Sequence, residues 1–219
     1  MNYIKENDNN SYSRKINARK HIRLSKPRIP PLDKKEARKV NKALIKKSEW
    51  EKKVNLLIKN LVTHALFALN VYATLMRNPD MTMGIMMSFR QLSSKLSLSE
   101  RDREILILRI AWLCYCEYIW GQHVLMGKNA GLSEEEINLI KEGEGPESWD
   151  PFNALLVRAV DELYTDAFIT DQTWKELNER YNEDQIMDLI FLVGQYNALA
   201  MFLNSFGVPL EYNKKGFQD

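Results

Sequence analysis

Helix-start signals recur along the second half of this chain, and they constrain its fold more than any other feature. Ser99 stands three residues before Asp102, Ser133 three before Glu136 and Asn182 three before Gln185. At that spacing the first side chain caps a helix and the later one can reach back to it. Asp150 precedes Pro151, an N-cap followed by a proline already shaped for the first turn, and Thr170 or Asp171 can cap a short helix to about Tyr181. Gly131, the GEGP at 143–146 and Gly207-Val208-Pro209 supply stops. No run of alternating β-branched residues competes, so the pattern predicts an all-α fold.

The remaining helices follow the same logic. Asp33 can cap a charged helix to about Lys47, a second is expected from Glu49 towards Met76, ending before Asn78-Pro79, and a third from Asp80 to about Lys95. Glu100 to Asn129 reads as one helix, the longest in the chain; Asp150 opens a helix to about Asp166, and Asn182 opens the last. Residues 1 to 25 are polar and basic without apolar periodicity, and KPRIPPL (26–32) reads as extended. The expected organisation is therefore a basic, flexible, partly extended N-terminal arm (1–30) and one helical domain (31–219), a multi-helix bundle.

A net charge of +2 conceals a division of charge. Residues 1–60 carry 18 Lys and Arg against 6 Asp and Glu, while residues 61–219 carry 13 against 23. Such an arm can lie on an acidic body, its own or a neighbouring subunit's, or can meet nucleic acid or an anionic membrane. It carries no recognisable nucleic-acid motif, which favours the first reading. The start MNYIKENDNN lacks the apolar core of a signal peptide, so a cytoplasmic protein is expected. The apolar windows Ile105–Met126 and Phe191–Val208 approach membrane-spanning length, but the first holds Arg109, Glu117 and His123 and the second Gln195, Asn197 and Asn204. Both are expected as helices packed on all sides, in the core or at a subunit contact.

The stretch CYCEYIWGQH (114–123) concentrates the chemistry. On a helix Cys116, Ile119, Trp120 and His123 share one face, with Glu117 on its flank, and Cys114 points to nearly the opposite side from Cys116, which disfavours a disulfide between them. Glu104 lies about 18 Å from Cys116 along a straight helix. If Glu104 instead sits on a separate helix folded back beside the stripe, carboxylate, thiol and imidazole converge, and an imidazole beside a carboxylate is suited to proton transfer near neutral pH. The competing reading is a packed histidine bonded to a backbone carbonyl. Cys-x-Cys followed by a lone histidine lacks the four-ligand spacing of zinc sites, so no metal or other cofactor is expected. His21 and His64 are isolated and read as structural or exposed.

Residues 28–212 resemble the carboxymuconolactone decarboxylase-like superfamily, which includes the alkyl hydroperoxidase D-like (AhpD-like) proteins. The likeness rests on KPRIPPLD, LSERDREILILRIAW (98–112), CEYIWGQHVLMGKNAGLSEEEI (116–137), LLVRAVDELYTDAFITDQTW (155–174) and VGQYNALAMFLNSFGVPL (193–210). It implies an AhpD-like helical fold, a homo-oligomer (trimer or hexamer), a small-molecule substrate and a break in the long helix near 112–115. In the thiol-active branch a glutamate precedes Cys-x-x-Cys-x-x-x-His; Glu104, Cys116 and His123 match, but Ile119 replaces the second cysteine, and Tyr118 stands where some members place a relay histidine. Isoleucine cannot resolve a sulfenic acid, so self-contained disulfide cycling is disfavoured.

Three functions follow as expectations. The first is a carboxymuconolactone decarboxylase-like enzyme using general acid/base chemistry at Glu104 and His123, with Glu117, Tyr118, Ile119 and Trp120, and Gln195 and Tyr196 from the last helix, around the substrate. The second is an antioxidant, AhpD-like thiol peroxidase using Cys116. The third is a non-catalytic binding protein that uses the basic arm.

Overall fold

Ile105 to Leu108, Ile110, Ala111 and Leu113 are all buried, so the helix that carries them is apolar around its circumference and has to be enclosed by others. The computed structural model describes residues 26–46, 69–94, 97–143, 145, 149–212 and 214–217. Its helices are α1 (Lys34–Lys46), α2 (Asn70–Leu75), α3 (Pro79–Ser94), α4 (Glu100–Leu113), α5 (Glu117–Asn129), α6 (Glu134–Glu142), α7 (Pro151–Asp166), α8 (Asp171–Asn178) and α9 (Glu183–Phe206). Helix α4 is the axis, with α5, α6, α7 and α9 packed around it and α3 resting on α9. No strand occurs among the described residues. The arm before residue 26, most of the helix expected from Glu49 to Met76, and His21 and His64 lie outside them.

The caps hold where the spacing put them. Ser133 with Glu136 and Asn182 with Gln185 form reciprocal capping boxes, Asp150 accepts from the N–H groups of Phe152 and Asn153, and Thr170 accepts from Thr173. Asp33 accepts from the N–H groups of Lys35 and Glu36, and Glu36 returns a bond to the Asp33 N–H. One pair differs from expectation. Ser99 caps α4, but the Asp102 carboxylate turns inward and accepts the Tyr181 hydroxyl at 2.7 Å instead of closing the box.

The single helix expected from the pattern over 100–129 is two helices, broken after Leu113 within the stretch where the resemblance implied a break. Tyr115 takes a left-handed conformation (φ 50°), its N–H bonds Trp112 O, and the Cys116 N–H bonds Ala111 O at 2.9 Å. This is a Schellman ending with tyrosine where glycine is usual. Cys116 then becomes the N-cap residue of α5, its carbonyl accepting from Trp120 N. The chain reverses here, so the straight-helix distances do not apply, and α9 is the longest described helix. The break is tied to α9: Asn204 Nδ2 donates to Cys114 O at 2.8 Å, and the Cys114 thiol donates to Asn197 Oδ1 at 3.3 Å.

Helix α5 lies close against α4 because Gly127 has no side chain. A Cβ there would stand 3.0 Å from Leu132 Cδ1 and 3.3 Å from Leu108 Cδ1. Charges carried inward by α4 are each met: Arg109 forms a two-pronged pair with Asp161 (2.6 and 2.8 Å) and donates to the carbonyls of Ile140 and Lys141. Burial of such a group is tolerated only when its donors are used.

Two extended segments strap the bundle. Arg28 N and Ile29 N bond Phe206 O, and Leu32 N bonds Ala73 O, so anchored chain reaches back into the segment expected as a flexible arm. After α9, Gly207 takes a left-handed turn, and the following residues cross the start of α5. The core of this chain does not enclose helix α9 all round: Met187 and Met201 are 66% and 62% exposed and Phe191 38%. Among the described residues it is the one helix long and apolar enough to cross a membrane by length and composition.

Candidate functional site

With α4 and α5 folded back on one another, Glu104 and His123 meet. Glu104 Oε2 lies 2.7 Å from His123 Nδ1; the carboxylate side chain is 1% exposed and the imidazole 11%. An ionised carboxylate can only accept, so Nδ1 is the donor and Nε2 is the ring nitrogen turned away from it. No hydrogen bond engages Nε2 among the described residues. The other carboxylate oxygen, Oε1, accepts from Arg103 Nε and Nη2, both at 3.2 Å. The histidine is thus held by a carboxylate, not by a backbone carbonyl, and the carboxylate by a guanidinium.

Tyr196 of α9 completes this cluster, its ring packed edge-on to the imidazole at 5.2 Å between centroids and against Phe89 of α3 at 5.3 Å. Burial, together with the Glu104 charge, pushes the Tyr196 hydroxyl above its usual range. It remains a neutral hydrogen-bonding group.

Cys116 is fully buried at the turn. Desolvation pushes its thiol up to about 12, outweighing the N–H groups of Ile119 and Tyr118 that favour the thiolate at the helix start. No bond joins it to Glu104 or His123 among the described residues.

The other expected residues face elsewhere. Tyr118 donates to Glu211 Oε1 at 2.6 Å and accepts from Val71 N; Gln122 Nε2 donates to the second oxygen of Glu211. The Glu117 carboxylate lies 3.2–3.5 Å from where a Cβ on Gly216 would stand. Trp120 packs with Trp112 and Phe217 at 5.5 and 5.6 Å, with Lys141 Nζ above both indoles. Ile119 is 2% exposed in the core, and Gln195 Oε1 accepts from Ser88 of α3 at 2.9 Å. Glu104, His123 and Tyr196 therefore form one group, while Glu117, Tyr118 and Trp120 lie beneath the C-terminal segment. Arg103 was missed by the sequence reading. Its only signal was adjacency to Glu104, and neighbours on a helix point about 100° apart.

Residues 82–157 match the carboxymuconolactone decarboxylase family model. The uncharacterized protein YdfG of Bacillus subtilis is 20% identical over 118 residues, which span 53% of this chain and 80% of that protein. Among solved structures, an AhpD-core, peroxidase-related protein from Ralstonia eutropha aligns with a TM-score of 0.65 at 12% identity, covering 84% of this chain and 93% of that one. The debrominase Bmp8, in a complex with 2,3,4-tribromopyrrole, aligns at 0.57 with 11% identity, covering 84% and 91%. At these identities the structural likeness establishes the fold, while the matched segment contains Glu104, Cys116 and His123. Residues 82–157 are thus similar to the carboxymuconolactone decarboxylase family, and the fold is that of the AhpD-like proteins.

Proposed function

We propose that this protein is a small-molecule enzyme in which His123 is the general acid/base. The observation that carries the reading is the 2.7 Å bond between buried Glu104 and His123 Nδ1, which fixes the ring and leaves Nε2 as the atom able to exchange a proton. Nε2 would take a proton from a substrate carbon or oxygen beside a carbonyl, or return one to it. Decarboxylation of a carboxylated lactone has this need, because the enolate left when carbon dioxide departs must be protonated at carbon. Tyr196 supplies a neutral hydroxyl and an aromatic wall beside the same ring. A homo-oligomer, trimer or hexamer, belongs to the same proposal and is read by sedimentation equilibrium.

The thiol reading is less well supported. A thiol raised to about 12 and wholly enclosed is a poor nucleophile near neutral pH, whatever the peroxidase-related name of a structural neighbour suggests. The arm-binding reading concerns residues 1–30, of which 1–25 lie outside those described.

A panel of small carboxylated lactones, β-keto acids and halogenated pyrroles tests the proposal by turnover, with His123→Gln as the comparison. Loss of a positioned acid/base is expected to lower kcat by roughly 10²- to 10⁴-fold on any substrate found. Equal turnover by the variant rules the role out.

A further inference from the structure

Glu104 is a fully buried carboxylate with two different partners: Arg103 on Oε1 and His123 on Oε2. A buried negative charge has to be balanced, and either partner can supply the balance. If Arg103 supplies it, His123 can rest neutral. If Arg103 did not, the carboxylate would be balanced best by an imidazolium, which has no lone pair at Nε2 and cannot begin a reaction as a base.

We propose that Arg103 is a positioning residue that neutralises Glu104, so that His123 rests as the neutral Nδ1–H imidazole with Nε2 open. The geometry favours this division. Arg103 commits two N–H donors to one oxygen, leaving the other oxygen to a single Nδ1–H. Its guanidinium stays charged at any working pH, so it is a fixed counter-charge. Arg103 sits in the first turn of α4 and is 22% exposed, whereas Glu104 is enclosed, so the pair reaches in from the rim with the carboxylate as its inner end.

Other groups around the imidazole do not duplicate this role. From α9 the nearest titratable group is Tyr196, whose hydroxyl is held neutral by burial, and Tyr72 of α2 interacts with Tyr196 and is likewise raised. On α5 itself, Gln122 and Tyr118 are turned to Glu211 of the C-terminal segment, and Glu117 to Gly216. Lys128 pairs with Glu134 of α6, and Arg101 of α4 with Glu136. Cys116 is fully buried, its thiol held neutral by that burial.

The test is a double-mutant cycle read by 15N NMR of the histidine rings, which number three in this chain and are assigned with His123→Gln. Arg103→Gln is expected to increase the proton affinity of His123 tenfold or more, converting it towards imidazolium at neutral pH. Glu104→Gln exposes the ring to an unbalanced guanidinium and is expected to lower that affinity tenfold or more. The variant with both changes is expected to lie within threefold of the unaltered protein. Arg103→Lys keeps the charge and is expected to restore most of the effect, which a merely structural role would not do. The proposal is overturned if Arg103→Gln moves the affinity by less than threefold, or if Glu104→Gln does so should the first variant not fold.

The consequence for turnover rests on the acid/base reading of His123: the acidic limb of the rate profile of Arg103→Gln should move up by about one pH unit for a tenfold change in affinity. The two ideas fail separately. If His123 handles no proton, the NMR cycle still gives its pattern while the rate profile does not follow.

Discussion

At the scale of single residues, burial decides which member of the 114–123 cluster can act. With its thiol held near 12, Cys116 has a thiolate fraction of roughly 10⁻⁵ at pH 7, against about 3% for an ordinary cysteine. In a Cys114→Ser variant, the remaining thiol is expected to react with Ellman's reagent orders of magnitude more slowly in the folded protein than after unfolding in guanidinium. Equal rates would return Cys116 to consideration as a nucleophile. Linkage has a definite sign. A raised thiol binds its proton more tightly in the folded state, so its contribution to stability is present below the unfolded value near 9 and lost as pH rises towards 12. Thermal midpoints between pH 9 and 12 should therefore fall less steeply in Cys116→Ala than in the unaltered protein. The pairing of Glu104 with His123 was legible only through the resemblance, because spacing along one helix kept them apart. Arg103 was not legible, because its contact depends on a long side chain folding onto its own neighbour.

At the scale of elements, capping chemistry was the legible part. Ser, Thr, Asp and Asn at helix starts act locally, so position in sequence is enough to find them. The break at 114–116 is the opposite case: Tyr115 adopts a conformation that glycine would have announced, and its support comes from α9, far away in sequence. The same device recurs at exposed Ala167, which ends α7 in a left-handed conformation (φ 55°) with no side chain packed there to justify it. Ala167→Gly should relieve that strain and stabilise the fold by about 0.5–1 kcal/mol, a rise of about 1–4 °C in thermal midpoint. Gly127 should respond in the other direction. Alanine gains up to about 1 kcal/mol of helix propensity, but a Cβ 3.0 Å from Leu132 and 3.3 Å from Leu108 overpacks the α4–α5 contact at a cost of about 1–3 kcal/mol. Gly127→Ala is therefore expected to lower the midpoint. Because the displaced helix carries His123 one turn away, it should also weaken the bond to Glu104, seen as loss of the downfield Nδ1–H proton resonance.

For the whole molecule, the division between a basic first quarter and an acidic remainder was visible in composition, but what holds the ends of the bundle was not. Glu211 accepts from Asn70 N at 2.9 Å, from Tyr118 Oη at 2.6 Å and from Gln122 Nε2, joining α2, α5 and the C-terminal segment through one carboxylate. Its partners lie 141, 93 and 89 residues away, and nothing in a local pattern marks a glutamate beyond the last helix as their meeting point. Four residues further on, Lys215 passes so close that a Cβ on Gly121 would stand 2.6 Å from its carbonyl oxygen, and Phe217 then enters the Trp112–Trp120 pair. Removing the carboxylate leaves the hydroxyl of Tyr118, a buried residue, without its acceptor; a stranded donor of this kind costs about 1–3 kcal/mol. Glu211→Ala should then lower the thermal midpoint by about 2–10 °C, while Glu211→Gln, which keeps a carbonyl oxygen for Tyr118, should lower it by less. Proteolysis separates a latch from a passive tail: if the segment is held by this carboxylate, the alanine variant is cut after Lys214 or Lys215 by trypsin well before the rest of the chain, and the unaltered protein is not. Equal cutting of both proteins, with an unmoved midpoint, would mean that the aromatic contact of Phe217 alone retains the segment.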